Sequence, residues 1–141
     1  MSILFLTEEI TRPKLRYRII TKWLKVVIEK YDFRPGDLTY IFCSDAYLRN
    51  INNKFLSHDY YTDIVTFDYC SNRRISGDMF ISIERVKENS IFFNVTYEDE
   101  LLRVIIHGLL HLLGYKDGND EEKKIMRHIE GECIFLYEEL L

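Results

Sequence analysis

Apolar and polar residues follow two rhythms along this chain, and the changes of rhythm mark its elements. Short apolar runs rich in β-formers at 3–8 (ILFLTE), 38–43 (LTYIFC), 63–69 (DIVTFDY) and 77–83 (GDMFISI) predict four strands. Between them the spacing turns helical. Leu15, Ile19, Trp23 and Val27 recur every fourth residue, with Ile20, Leu24 and Ile28 beside them, predicting a helix over 14–30 that begins after Pro13. RPGD (34–37) reads as a turn. Ser44 or Asp45 caps a second helix with Leu48, Ile51 and Phe55 inward. After the SNRR turn and the fourth strand, 85–93 reads as a short helix. Thr96 caps the next one, whose first turn holds Glu98, Asp99 and Glu100 and which stops at Gly114. The last helix covers 120–139, with Ile125, Ile129, Cys133, Leu136 and Leu140 as its inner stripe.

The order β-α-β-α-β-β-α-α-α predicts one compact domain over residues 1–141, of α/β (α+β) class. It has a mixed four-stranded sheet and about five helices. The third and fourth strands follow each other through a short turn and should pair antiparallel. The helix holding LLRVIIHGLLHLL is apolar on nearly all sides, which makes it the central buried one.

Composition narrows the function classes. With 47% apolar residues the chain is not disordered. Its three cysteines, Cys43, Cys70 and Cys133, are odd in number and form no C-x-x-C pair, so they read as small hydrophobes in a reducing compartment. The apolar run of MSILFLTEE is too short for a signal peptide or a membrane span, so a soluble, cytoplasmic protein without membrane attachment is expected. Net charge is −4, but residues 1–30 carry seven Lys/Arg against three Glu, while 98–141 carry five against eleven Asp/Glu. An acidic chain is not the usual nucleic-acid binder, and DNA is not expected. If RNA is the substrate, Arg12, Lys14 and Arg16 are the first place to look; the alternative is a solvated helix face.

The chemistry concentrates in HGLLHLLGYKDGND (107–120). Residues i and i+4 of a helix lie about 40° apart on one face, so His107 and His111 can aim two imidazoles at one point. Gly114 ends the helix, and Asp117 follows on the far side of the turn, with Asp120 and Glu121 as alternative acids. Two His, one carboxylate and a water form a known catalytic zinc arrangement. Gly108 stands where a zinc protease keeps its general base, which disfavours peptide hydrolysis and allows another backbone or a substrate to approach the helix.

HGLLHLLGYKDG closely resembles the signature H-G-x-L-H-L-x-G-Y-D-H of the YbeY family, bacterial endoribonucleases of ribosomal RNA maturation. LRNINNKFLSHDYYTDIVTFDY (48–69) resembles the family's Asn-rich helix and T-[DN]-[VI]-[LV]-[ST]-F strand, and SGDMFISIERVKEN (76–89) its G-D-I-x-I-[SC] strand and following helix. The resemblance implies a metal-dependent hydrolase acting on single-stranded RNA, notably the precursor of small-subunit ribosomal RNA. Its partners would be the ribosome or small-subunit assembly components. It implies one zinc ion per chain on His107, His111 and, in place of the family's third His, Asp117. That carboxylate opens the site to another divalent metal. The nucleophile would be the metal-bound water, with no side-chain base assigned, or the RNA 2′-hydroxyl. Leu56 stands where many members have an Arg that handles RNA; Lys54, His58, Arg73 and Arg74 are candidate substitutes. His58 and Asp59 are candidates for lining the cleft, Asp63 and Asp78 read as strand-start hydrogen bonders, and His128 as solvent-facing. The competing class is a ribosome-assembly binding factor with a structural metal, which a fourth protein ligand such as Glu121 would favour.

Overall fold

The computed structural model describes residues 2–56 and 62–141. Strands β1 (Ile3–Glu8), β2 (Arg34–Cys43), β3 (Ile64–Asp68) and β4 (Arg74–Ser82) form one sheet in the order β1-β2-β4-β3. β1 and β4 run parallel to β2, and β3 pairs antiparallel with β4. The expected mixed sheet is therefore present. The helices are α1 (Tyr17–Lys30), α2 (Asp45–Leu56), α3 (Ile83–Phe92), α4 (Tyr97–Leu112) and α5 (Asp120–Glu139). No helix among the described residues is long and apolar enough to cross a membrane.

Strand alternation gives the sheet two unequal faces. Leu38, Tyr40 and Phe42 of β2 and Ile75, Met79 and Ile81 of β4 point to one side and build the main core with α1, α4 and α5. Cys43, Val65 and Leu48 form a small cluster on the other side, where α2 packs. Two buried polar groups tie the layers together: the Tyr40 hydroxyl donates to the Ile105 carbonyl (3.0 Å), and the Trp23 indole N–H to that of Cys133 (2.7 Å). Each is worth about 1 kcal/mol net, and each leaves a buried donor satisfied.

Four expectations need correction. RPGD is not a free turn but the start of β2: the register slips between Pro35 and Leu38, and a Cβ on Gly36 would sit 2.6 Å from the Ile75 carbonyl oxygen. The bulge needs the glycine because β4 passes so close. α1 starts at Tyr17, later than expected, because Arg16 keeps a non-helical backbone (φ −85°, ψ 73°) and the Tyr17 hydroxyl bonds back to the Pro13 carbonyl. Phe55 is 57% exposed rather than inward; α2 buries Leu48 and Asn52 instead. On α5 Ile129 and Cys133 are buried and Leu136 and Leu140 pack partly against the core as expected, but Ile125 points outward and Met126, Glu130 and Tyr137 face in.

Candidate metal centre

α4 is built to present one narrow polar stripe. From Leu101 to Leu112 every residue is buried except Arg103, His107 and His111. These stand four residues apart and so share a face. Thr96 caps the helix by accepting from the Asp99 N–H, with Glu98, Asp99 and Glu100 in the first turn, as expected. It ends in a Schellman turn: Gly114 has φ +106°, its N–H reaches the His111 carbonyl, and the Tyr115 N–H reaches that of Leu110. This turn reverses the chain and brings Asp117 back over the two histidines.

The Nε2 atoms of His107 and His111 lie 3.0 Å apart. Asp117 places Oδ2 3.3 Å from the first and Oδ1 3.5 Å from the second. A tetrahedral ion with bonds of about 2.0–2.1 Å has ligand-to-ligand edges of about 3.3–3.4 Å. These separations are close to such edges, with one Asp117 oxygen toward each imidazole; one ligand atom from each of the three lies within 4.8 Å of the others, so the cluster, Asp117 included, can hold a metal ion after small side-chain adjustment. No other described His, Cys, Asp or Glu joins the cluster, and Glu121 is exposed.

The support behind this triangle was not read from the sequence. Glu130 of α5, 3% exposed, accepts from His107 Nδ1 at 2.6 Å. A carboxylate can only accept, so the ring proton sits on Nδ1 and Nε2 is free to ligate. Arg103 in turn donates to Glu130 (3.4 Å) and grips Glu100 with two bonds (2.7 and 3.0 Å). Its guanidinium stays charged because these carboxylates outweigh the cost of burial. Asp63 lies 3.8 Å from Arg103, and its carboxylate accepts from the Asn89 side-chain amide (3.4 Å), a structural hydrogen bond of the kind expected of it. Its side chain also faces the site, and burial raises its pKa against the opposing pull of Arg103 and His107.

Gly108 faces the sheet, not the cleft. A Cβ there would meet Ile64 Cδ1 at 2.8 Å and Met79 Sδ at 3.2 Å. The close approach the glycine permits is made by the protein's own core, and an acid at this position could not act as a base in the cleft.

The other candidates are scattered. Arg12, Lys14 and Arg16 are exposed in the segment that joins β1, the edge strand farthest from β3, to α1, and none lines the recesses around the histidines. Arg12 stacks on Tyr17 (4.0 Å). Arg73 is held by the Asp32 carbonyl and the Phe33 ring, and Arg74 lies 3.7 Å from Asp37. Lys54 is exposed at the end of α2 with its ammonium near Phe55, while Leu56 itself lines the cleft. His58 and Asp59 fall outside the described residues. Asp78 faces the opposite side of the sheet beside Tyr69, and His128 is exposed and pairs with Glu132 (2.9 Å), as expected for a solvent-facing residue.

Fold and site together define a class: an α+β domain whose buried central helix carries two histidines that, with a carboxylate from the turn after it, form a cluster able to hold a metal ion. Comparison with known proteins gives that class its family. A family model described as endoribonuclease YbeY matches residues 6–137. Proteins named endoribonuclease YbeY are 49% identical over 134 residues in Bacteroides fragilis (95% of this chain, 96% of theirs) and 42% identical over 139 in Parabacteroides distasonis (99% and 98%). The solution structure of TM1509 from Thermotoga maritima aligns with a TM-score of 0.67 at 27% identity, covering 99% of this chain and 89% of that one. With near-complete coverage from three directions, the chain belongs to the endoribonuclease YbeY family.

Proposed function

We propose that the protein is a metal-dependent endoribonuclease that cuts single-stranded RNA, with zinc on His107, His111 and Asp117. One observation carries the reading: ligand atoms of His107, His111 and Asp117 gathered within 4.8 Å of one another, with Glu130 fixing the tautomer of His107 behind them. A divalent ion so held supplies a Lewis acid for a phosphoryl oxygen and lowers the pKa of a water. The side chains do the rest. His107, His111 and Asp117 all line one recess, Glu130 keeps the His107 proton on Nδ1, and Arg103 holds Glu130 in place. A three-ligand set is the pattern of catalytic sites, whereas a structural site is closed by four. The binding-factor alternative needs a fourth protein ligand, and none joins the cluster among the described residues.

The family's activity, read onto this chain, makes the precursor of small-subunit ribosomal RNA its substrate, the cytoplasm its place and assembling small subunits its partners. A single-stranded transcript and the same sequence annealed to its complement test the specificity. The metal-loaded protein is expected to cut the first at least tenfold faster; equal cutting of both, or of neither, would sink the reading.

A further inference from the structure

One group of positive charges beside the centre has no role in this chemistry. Lys123 and Arg127, one turn apart and both exposed on α5, line the same recess of about 270 Å³ as His107 and Asp117. The carboxylates of that recess are engaged elsewhere: Glu130 with His107 and Arg103, Asp117 in the ligand triangle, Asp63 near Arg103. Among the described residues neither Lys123 nor Arg127 has a carboxylate within ion-pair distance. On the other side of the histidines is a recess lined by Asn52, Leu56, Thr62, Thr66 and Asp68 among others, and no Lys or Arg among the described residues lines it. Among the described residues the basic side chains therefore lie on one side of the cleft. Beyond Arg127 the surface changes again. Its guanidinium lies 5.4 Å from the Phe93 ring, and Phe92 and Phe93 are 82% and 45% exposed. Arg127 and Phe93 share an adjoining recess, so cation and ring form one continuous track leading away from the metal centre.

We propose that Lys123 and Arg127 bind a backbone phosphate of single-stranded RNA next to the one at the metal centre, and that Phe93 stacks an adjoining base. The proposal rests on the reading of the chain as a ribonuclease. Unpaired cations facing a cleft are the usual holders of phosphate, and exposed rings beside them are the usual seats for unstacked bases. This side of the cleft then does what apolar Leu56 cannot do on the other.

The test is equilibrium binding of a single-stranded oligoribonucleotide to metal-stripped protein across a salt series, with cleavage measured separately on metal-loaded protein. Lys123→Ala/Arg127→Ala is expected to bind about tenfold more weakly. It should also flatten the slope of log K against log salt by about 0.7, the value for one phosphate on a single strand. Phe93→Ala is expected to weaken binding by a similar factor with an unchanged slope, since stacking releases no counterions. General damage to the fold would not separate the two, and both surfaces are exposed, so unchanged melting temperatures serve as the control. Wild-type binding in the double variant overturns the proposal, as does a loss confined to an Arg12→Ala/Lys14→Ala/Arg16→Ala variant. A Phe93→Ala variant that binds normally removes the stacking half and marks the aromatic patch as a protein contact. If binding falls as expected but loaded wild type does not cut RNA, the strand site stands and the nuclease reading falls.

Discussion

His107 has two ring nitrogens, and the fold gives each a different partner: Nδ1 to Glu130 and Nε2 to the ligand triangle. The consequence for metal binding is direct. A carboxylate behind a ligating imidazole raises its basicity and locks its orientation, and losing such a partner typically costs about 10- to 100-fold in metal affinity. Glu130→Gln keeps the shape and removes the charge, so we expect that loss in a chelator-competition titration; unchanged affinity would make Glu130 a packing residue only. At this scale the clustering of the three side chains was legible and its support was not. His107, His111 and Asp117 sit in one short segment where helix geometry and a helix-ending glycine suffice to bring them together. Glu130 lies on a different helix, in a run of charges that reads as a solvated face. The one signal pointing to the network was Arg103, four residues before His107 on an otherwise apolar helix.

Elements place these residues, and Gly114 sets where α4 stops. At φ +106° an L side chain is strained, so Gly114→Ala is expected to cost about 1–2 kcal/mol. Urea unfolding followed by the buried Trp23 will read this loss, and a neutral result would mean that the Schellman turn relaxes freely. Local rules foresaw this glycine, as they did the Thr96 cap. They failed where two neighbouring residues compete for the core. Ile125 and Met126 both fit a helical stripe, and only docking beside Trp23 and Arg103 turns α5 so that Met126, Glu130 and Tyr137 face in. RPGD misled for a related reason: a Pro-Gly pair signals a turn locally, but here the close passage of β4 requires it inside a strand.

The molecule as a whole buries thiols that the unfolded chain would expose. Burial pushes Cys43 up to about 12 and Cys133 to about 11, and Tyr31 rises to about 12, also mainly by burial. The sign follows. A free thiol ionises near ~8.5, so above that pH the unfolded state loses protons that the native state keeps. Stability is then full below this range and falls as pH rises through it toward the folded values. The denaturation midpoint is expected to drop between pH 8 and 10.5, less steeply in Cys133→Ala; a flat profile would contradict the burial. The same core carries the strand order and the central helix. The mixed sheet, the antiparallel third and fourth strands and the central helix were legible from four β-rich runs, one short turn and one mostly apolar helix; the strand order was not read. The shape of the cleft was not, because it depends on which faces meet.

Everything functional converges on one claim: RNA cleavage depends on a metal held by His107, His111 and Asp117. The most direct measurement strips the metal, reconstitutes with one equivalent of zinc per chain and follows single-stranded RNA cleavage in wild type beside His111→Ala. Stripped protein is expected to be inactive, zinc to restore cutting, and folded His111→Ala to stay at least 100-fold slower. Full cleavage by the stripped protein, or by His111→Ala, would contradict the claim outright.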